Sequence, residues 1–335
     1  MSKILVTGAG GYIGSIAAYL LLQKGHEVVA VDNFMTGYRE PLKILTEKFG
    51  KEKIRVYEIN LCNDLSSLFL EEKGIDAVVH YAASCLVDES MKNPHKYFSN
   101  NITGSVNLLE QMTKSGIRRL IFSSTAAVYG EPQDIPIDEK HRLKPINVYG
   151  QSKKMVEEII EWYAKLKGLH YLILRYFNVC GASDDGVMGD SKKPSTHLVQ
   201  NAVRGALGLE PFYLTSPEVS TPDKTAIRDY VNVIDLNEAH IAGLEYLSNG
   251  GQSEVVNLGT NTGSSVLEIV HQVQAITGHT FEIKRTVPRA GDPARLVATN
   301  KKARQLLNWS PKRTITASVK SLVLWYQSHP RGWNY

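Results

Sequence analysis

The chain has 335 residues, enough to bury a full core in one large or two closely joined domains. Hydrophobic residues make up 43% and charged residues 21%, a globular balance, and a net charge of +4 without clear clustering argues against nucleic acid as a partner. Three widely spaced cysteines, Cys62, Cys85 and Cys180, form neither a disulfide framework nor a zinc site and fit reduced thiols in a cytoplasm.

A strand is predicted at once, at Lys3–Val6, so no signal peptide is expected, and no apolar run is long enough to span a membrane. Further strands are predicted at Val28–Val31, Arg55–Glu58, Ala77–His80, Arg119–Phe122 and Tyr171–Leu174. Between them the apolar spacing predicts helices at Ile13–Gln23, Ser66–Glu72, Tyr97–Lys114 and Asn147–Lys165. This alternation specifies an α/β chain, a Rossmann-like doubly wound parallel sheet. In the last helix Met155, Ile159, Trp162, Tyr163 and Leu166 recur at three- and four-residue intervals and read as core packing. After Asn178 the texture changes. Gly181–Pro194 and Thr215–Lys224 read as long loops, and Ser264–Thr277 and Thr314–Tyr326 as helices. The expected division is a dinucleotide-binding domain over 1–178 and a smaller α/β substrate-binding region over 179–335, with some of its segments packing back on the first domain.

Thr7-Gly8-Ala9-Gly10-Gly11-Tyr12-Ile13-Gly14 lies between the first strand and the first helix. Gly8 permits the tight turn, Gly11 lets backbone approach a pyrophosphate, and Gly14 allows close helix–strand packing. Tyr12 and Ile13 open the helix whose N-terminal amides and partial positive charge suit phosphate. Asp32, followed by Asn33, ends the second strand 18 residues after Gly14. A carboxylate there accepts from a ribose diol and repels a 2′-phosphate, so NAD is expected rather than NADP. Asn60-Leu61 could hold the adenine edge, and Tyr81-Ala82-Ala83 leaves room for the cofactor, although small-residue packing competes for the two alanines. Tyr149 and Lys153 share one helix face, four residues apart. A fixed ammonium favours the phenolate and lets a tyrosine act as a base near neutral pH.

These segments, together with Ser123-Ser124-Thr125-Ala126-Ala127-Val128-Tyr129-Gly130, resemble the extended short-chain dehydrogenase/reductase superfamily. Leu174-Arg175-Tyr176-Phe177-Asn178, Arg228-Asp229-Tyr230-Val231 and Arg289-Ala290-Gly291-Asp292 are similar to the UDP-glucose 4-epimerase family within it, and the likeness runs from Ser2 to about Tyr326. The resemblance implies Thr125, Tyr149 and Lys153 as catalytic residues. It implies Asn101, Ser123 and Phe177 beside the cofactor, and Ser124, Asn178, His197, Arg228, Arg289, Asp292 and Leu296 on a UDP-sugar, the arginines on phosphate and Asp292 on ribose. It further implies interconversion of UDP-glucose and UDP-galactose by inversion at C4, bound NAD, and a homodimer built on the helices Tyr97–Lys114 and Asn147–Lys165. Composition and cysteine spacing predict no membrane, nucleic-acid or metal partner.

Several positions depart from the family's pattern. Thr125 replaces serine, Asn60 replaces aspartate, His197 replaces asparagine and Asn232 replaces histidine, while Thr215–Glu218 lacks the glycine-acid turn. Leu296 is intermediate between a small residue that would admit an N-acetyl group and a tyrosine that would exclude it, so UDP-GlcNAc/GalNAc or a UDP-pentose are alternative substrates. Three rival functions are a dehydratase, an NAD(P)H-dependent reductase and a non-catalytic NAD sensor. Ala126-Ala127 after Thr125 removes the acid–base pair that elimination needs. Asp32 and the arginines argue against an ordinary reductase, and the retained Tyr149 and Lys153 against a sensor.

Overall fold

The computed structural model describes residues 1–193, 195–214, 218–285 and 293–333. The chain divides into two compact units. One comprises Met1–Glu131, Arg142–Arg175 and Asn237–Val256, and the other Pro132–His141, Tyr176–Leu236 and Asn257–Tyr335.

In the first unit β1 (Lys3–Thr7), β2 (Glu27–Asp32), β3 (Ile54–Glu58), β4 (Ala77–His80), β5 (Arg119–Thr125), β6 (His170–Tyr176) and β11 (Glu254–Leu258) form a seven-stranded sheet. Its order is β3-β2-β1-β4-β5-β6-β11, and the ladders from β3 to β5 are parallel. The order reverses between β1 and β4, whose last residues Thr7 and His80 stand side by side in register. A doubly wound sheet binds ligand outside the strand ends at such a switch point. The six predicted strands are all present; the seventh, β11, was not foreseen, because its short apolar run follows a helix far along the chain.

Helices α1 (Tyr12–Gln23), α2 (Glu40–Phe49), α3 (Ser66–Glu71), α4 (Val87–Lys92), α5 (Pro94–Phe98), α6 (Gly104–Lys114) and α7 (Val148–Lys167) connect the strands. Leu5, Val78, Leu120 and Phe122 from the sheet pack with Leu108 and Met112 of α6 and Val156 and Ile160 of α7 in one core cluster. Burial of each such side chain contributes about 1.5–3 kcal/mol.

Two expectations for this unit hold only in part. Tyr97–Lys114 is helical throughout, as expected, but not uniformly α-helical: α5 ends at Phe98, a π-helical turn spans Ser99–Thr103, and α6 begins at Gly104. The apolar stripe of α7 only skirts the core, with Ile159 and Tyr163 packed against its edge. Trp162 and Leu166 are exposed, Met155, Ile159 and Tyr163 are only half-buried, and the buried face carries Tyr149, Lys153, Val156, Glu157 and Ile160. Polar groups with matched partners occupy that face, which apolar periodicity does not register.

In the second unit β7 (Asn178–Cys180) runs parallel to β10 (Tyr230–Asn232), and β8 (Phe212–Leu214) parallel to β13 (Ile283–Arg285). The short β9 (Ile227–Arg228) lies between β12 (Ser264–Ser265) and β14 (Arg295–Leu296). Helices α8 (Leu198–Ala206), α10 (Val266–Thr277) and α12 (Ile315–Ser328) pack on one another, and α11 (Lys301–Leu307) precedes the last of them. Ser265 and Glu268 close a reciprocal capping box at the start of α10, satisfying two helix-end donors. Helix α9 (Val233–Ser248) begins in this unit, and its residues from Asn237 onward belong to the first. Residues 181–193 contain no helix or strand, whereas Thr215–Pro217 of the other expected loop lie outside the described residues. Among the described residues no helix is long and apolar enough to cross a membrane.

Candidate active site

The site is built at the carboxyl ends of β1, β2, β4 and β5. Helix α1 is N-capped by Gly11, which has no side chain to cap the first turn. Gly8 has φ +70°, and a Cβ there would stand 2.7 Å from the Ala82 nitrogen; a Cβ on Gly14 would run into the Gly8 carbonyl. Backbone therefore approaches backbone as closely as it can, leaving a cradle without side chains in front of a helix N-terminus. Asp32 is buried at the end of β2, where its two carboxylate oxygens accept from the Gly10 and Phe34 amides, both at 2.8 Å. Burial raises the pKa of its carboxyl, and those amides oppose the shift. The cradle and the carboxylate together fit a dinucleotide with a free ribose diol.

The other expected cofactor residues are held by local bonds. The Asn33 Oδ1 accepts from the Met35 amide at 3.1 Å, and the Asn60 Oδ1 from the Cys62 amide at 2.9 Å. Leu61 is buried, and the Tyr81 hydroxyl donates to the Asn237 Oδ1 at 2.7 Å. Asn237 in turn donates to the Ile13 carbonyl, at 3.3 Å. Asn237 and His240, whose Nε2 lies 3.3 Å from the Ser123 Oγ, were missed by sequence reasoning. They stand more than 100 residues from their partners, with no local motif to mark them.

Helix α7 carries the candidate chemistry. Asn147 caps it, its Oδ1 accepting from the Gly150 amide at 2.8 Å, so Tyr149 falls in the first turn and Lys153 one turn later. Both are buried. The Tyr149 ring meets Tyr97 edge-on at 6.5 Å between centroids. The Lys153 Nζ donates to the Ser123 carbonyl at 2.8 Å and lies 4.6 Å from the centre of the Phe122 ring. Burial pushes its ammonium down to about 8, partly opposed by Cys85 and Glu157. Thr125 ends β5, its Oγ1 accepting from the Ala127 amide at 3.1 Å.

Ser124, expected on substrate, is fully buried, and its hydroxyl donates to Glu157. Glu157 also takes two bonds from Arg175, at 2.6 and 3.0 Å, and Arg175 donates to the Tyr129 hydroxyl at 3.1 Å. The buried Glu157–Arg175 pair fastens α7 to β6, and the Ser124 hydroxyl ties the end of β5 to the same carboxylate. Such a pair is costly to break, because removing either member strands the other's charge.

Gly150 is a further residue that sequence reasoning missed. A Cβ there would collide with the Ala127 carbonyl oxygen, so α7 starts directly against the turn after Thr125. Glycine to alanine ordinarily stabilises a helix interior by about 1 kcal/mol. Here Gly150→Ala is expected to lower the thermal midpoint and to cut turnover about tenfold or more, by overpacking this junction. A midpoint at or above that of the parent in a melting curve would remove the argument.

In the second unit Asn178 is exposed on β7, and Phe177 before it is buried. His197 is the N-cap residue of α8. The buried Arg228 donates through Nη1 to the Ile227 carbonyl at 2.9 Å and stands in register with Leu296 across β9 and β14. Arg289 and Asp292 lie outside the described residues.

The sequence matches the NAD dependent epimerase/dehydratase family over residues 4–259. A UDP-glucose 4-epimerase of Streptococcus mutans is 41% identical over 334 residues, covering 99% of this chain and 98% of that protein. The chain belongs to the NAD-dependent epimerase/dehydratase family. A crystal structure of UDP-glucose 4-epimerase superposes over 100% of both chains with a TM-score of 0.92 and 40% identity. The Bifidobacterium longum UDP-glucose 4-epimerase in complex with NAD+ and UDP gives a TM-score of 0.93 at 31% identity, over 99% of this chain and 100% of that one. Membership in this epimerase/dehydratase family agrees with the sheet order, the glycine cradle and the first-turn tyrosine.

Proposed function

We propose that this chain interconverts UDP-glucose and UDP-galactose by inverting C4 of the sugar, with NAD held at the glycine cradle throughout. The observation that carries this reading is the buried Lys153 ammonium, fixed on the Ser123 carbonyl one helical turn from Tyr149, at the strand end that finishes in Thr125. Tyr149 as phenolate takes the proton of the sugar 4-hydroxyl, with the Thr125 hydroxyl passing it across. When bound, NAD would supply the acceptor and then the donor of the C4 hydride, so that the sugar passes through a 4-keto form. Lys153 holds the phenolate's charge and the nicotinamide ribose. Asp32 holds the adenosine ribose through its hydroxyls. Arg228, Arg289 and Asp292 grip the UDP group, so binding energy lies away from the ring that must turn over.

Ala126 and Ala127, next to Thr125, supply neither acid nor base, which disfavours elimination. Leu296, in register with Arg228, leaves an N-acetylated or pentose UDP-sugar as the second reading of the substrate. The exposed Trp162 and Leu166 on α7 support a homodimer formed through that helix, and the three free cysteines support a cytoplasmic setting.

The deciding experiment incubates the purified protein with UDP-galactose and no added cofactor. Formation of UDP-glucose is expected, with NAD recovered from the denatured protein. A dehydrated 4-keto product, or conversion that requires stoichiometric NADH, would replace this reading with a dehydratase or a reductase.

A further inference from the structure

One buried imidazole in the first unit has no part in the chemistry above. His80 ends β4 beside Thr7 and is 2% exposed. Its Nδ1 lies 2.7 Å from the Thr7 Oγ1 and its Nε2 lies 2.9 Å from the Ser105 Oγ. The Ser105 hydroxyl donates to the Asn101 carbonyl at 2.6 Å, so its oxygen must accept the His80 Nε2–H. The Nδ1 is then the acceptor of the Thr7 hydroxyl hydrogen bond, and the Thr7 oxygen accepts from the Ala82 amide at 3.3 Å. Burial pushes the imidazole down to about 3, which keeps the ring neutral and this direction of donation fixed.

The two arms end in different places. The Thr7 arm reaches Ala82, whose nitrogen bounds the cradle at Gly8. The Ser105 arm reaches the π-helical turn Ser99–Thr103, which carries Asn101. The Asn101 Nδ2 donates to the Ser84 carbonyl and to the Ser152 Oγ, both at 3.0 Å, and its Oδ1 accepts from the Ser84 amide at 2.8 Å. Ser152, next to Lys153, donates to the Tyr149 carbonyl at 2.8 Å. A π-turn is uncommon and survives only where its surroundings hold it.

We infer that His80 is a positioning residue that separately fixes the cofactor cradle, through Thr7, and the frame of Tyr149 and Lys153, through Ser105 and Asn101. This rests on the function proposed above, and it assigns each arm a different symptom. Loss of the Ser105 arm loosens the carbonyl of Tyr149 and slows the chemical step. Loss of the Thr7 arm loosens the cradle and lets cofactor escape.

The test measures kcat and KM for UDP-galactose, NAD retained after purification, and the thermal midpoint. Ser105→Ala is expected to lower kcat about tenfold at unchanged KM and NAD content, the effect of one lost buried hydrogen bond. Thr7→Val is expected to lose retained NAD and to recover kcat when NAD is added in excess. His80→Leu should show both defects. His80→Gln, whose amide nitrogen replaces Nε2 but not Nδ1, should recover kcat and not NAD retention. The inference is overturned if both single variants show the same defect, if their activities follow the thermal midpoint alone, or if neither departs from the parent by more than twofold. A parent that does not interconvert the sugars would refute the proposed function instead, and NAD retention would still separate Thr7→Val from Ser105→Ala.

Discussion

Tyr149→Phe is expected to slow interconversion of the two UDP-hexoses by about 10²–10⁴-fold, the range of a lost general base. The substitution removes one oxygen and keeps the ring that stacks edge-on against Tyr97. Asn147 still caps the helix, and Lys153 still has the Ser123 carbonyl, so the variant should fold and retain NAD as the parent does. The useful comparison is therefore turnover at equal NAD content. A variant that retains more than a tenth of parental turnover would show that another group moves the proton.

Lys153→Met carries the second large effect, a loss of about 10²–10³-fold, comparable to the removal of one preorganised donor from a developing negative charge. Burial, the larger influence, holds the ammonium near 8 instead of its ordinary 10.5. A lysine whose folded pKa is depressed sheds its proton earlier in the folded protein than in the unfolded chain. Between about pH 8 and 10.5 the unfolded chain thus binds more protons, and the burial cost of this charge is relieved as pH rises through that window. Activity moves the other way. As the ammonium is lost the phenolate loses its partner, so kcat/KM of the parent should fall above about pH 8, and that limb should be missing from the residual activity of Lys153→Met. A parental profile flat to pH 10 would mean that the charge on Lys153 does not govern the reaction.

What could be read from the sequence was what the chain writes contiguously. The glycine cradle is eight consecutive residues between a strand and a helix, Asp32 follows at a fixed distance, and Tyr149 and Lys153 share one helix face. The π-turn at Ser99–Thr103 was hidden, because its cause is tertiary: Asn101 is held from Ser84 and Ser152, and its carbonyl by Ser105. The inner face of α7 was misread for a related reason. Glu157 looks like a solvent-facing charge until Arg175 and Ser124 are set against it. Asn237 and His240 had no local sign at all, since their partners Ile13, Tyr81 and Ser123 come from the far end of the chain.

Strand β11 lies at the sheet edge beyond β6, some eighty residues later in the chain. A ribosome must make everything from β7 through α9 before this edge is covered. Through that interval β6 offers its bare rim of amides and carbonyls to any neighbouring nascent strand. The late-arriving stretch that brings Asn237 beside Ile13 and Tyr81 also closes the sheet, so completion of the nucleotide cradle and protection from sticking to other chains coincide in a single event of biosynthesis.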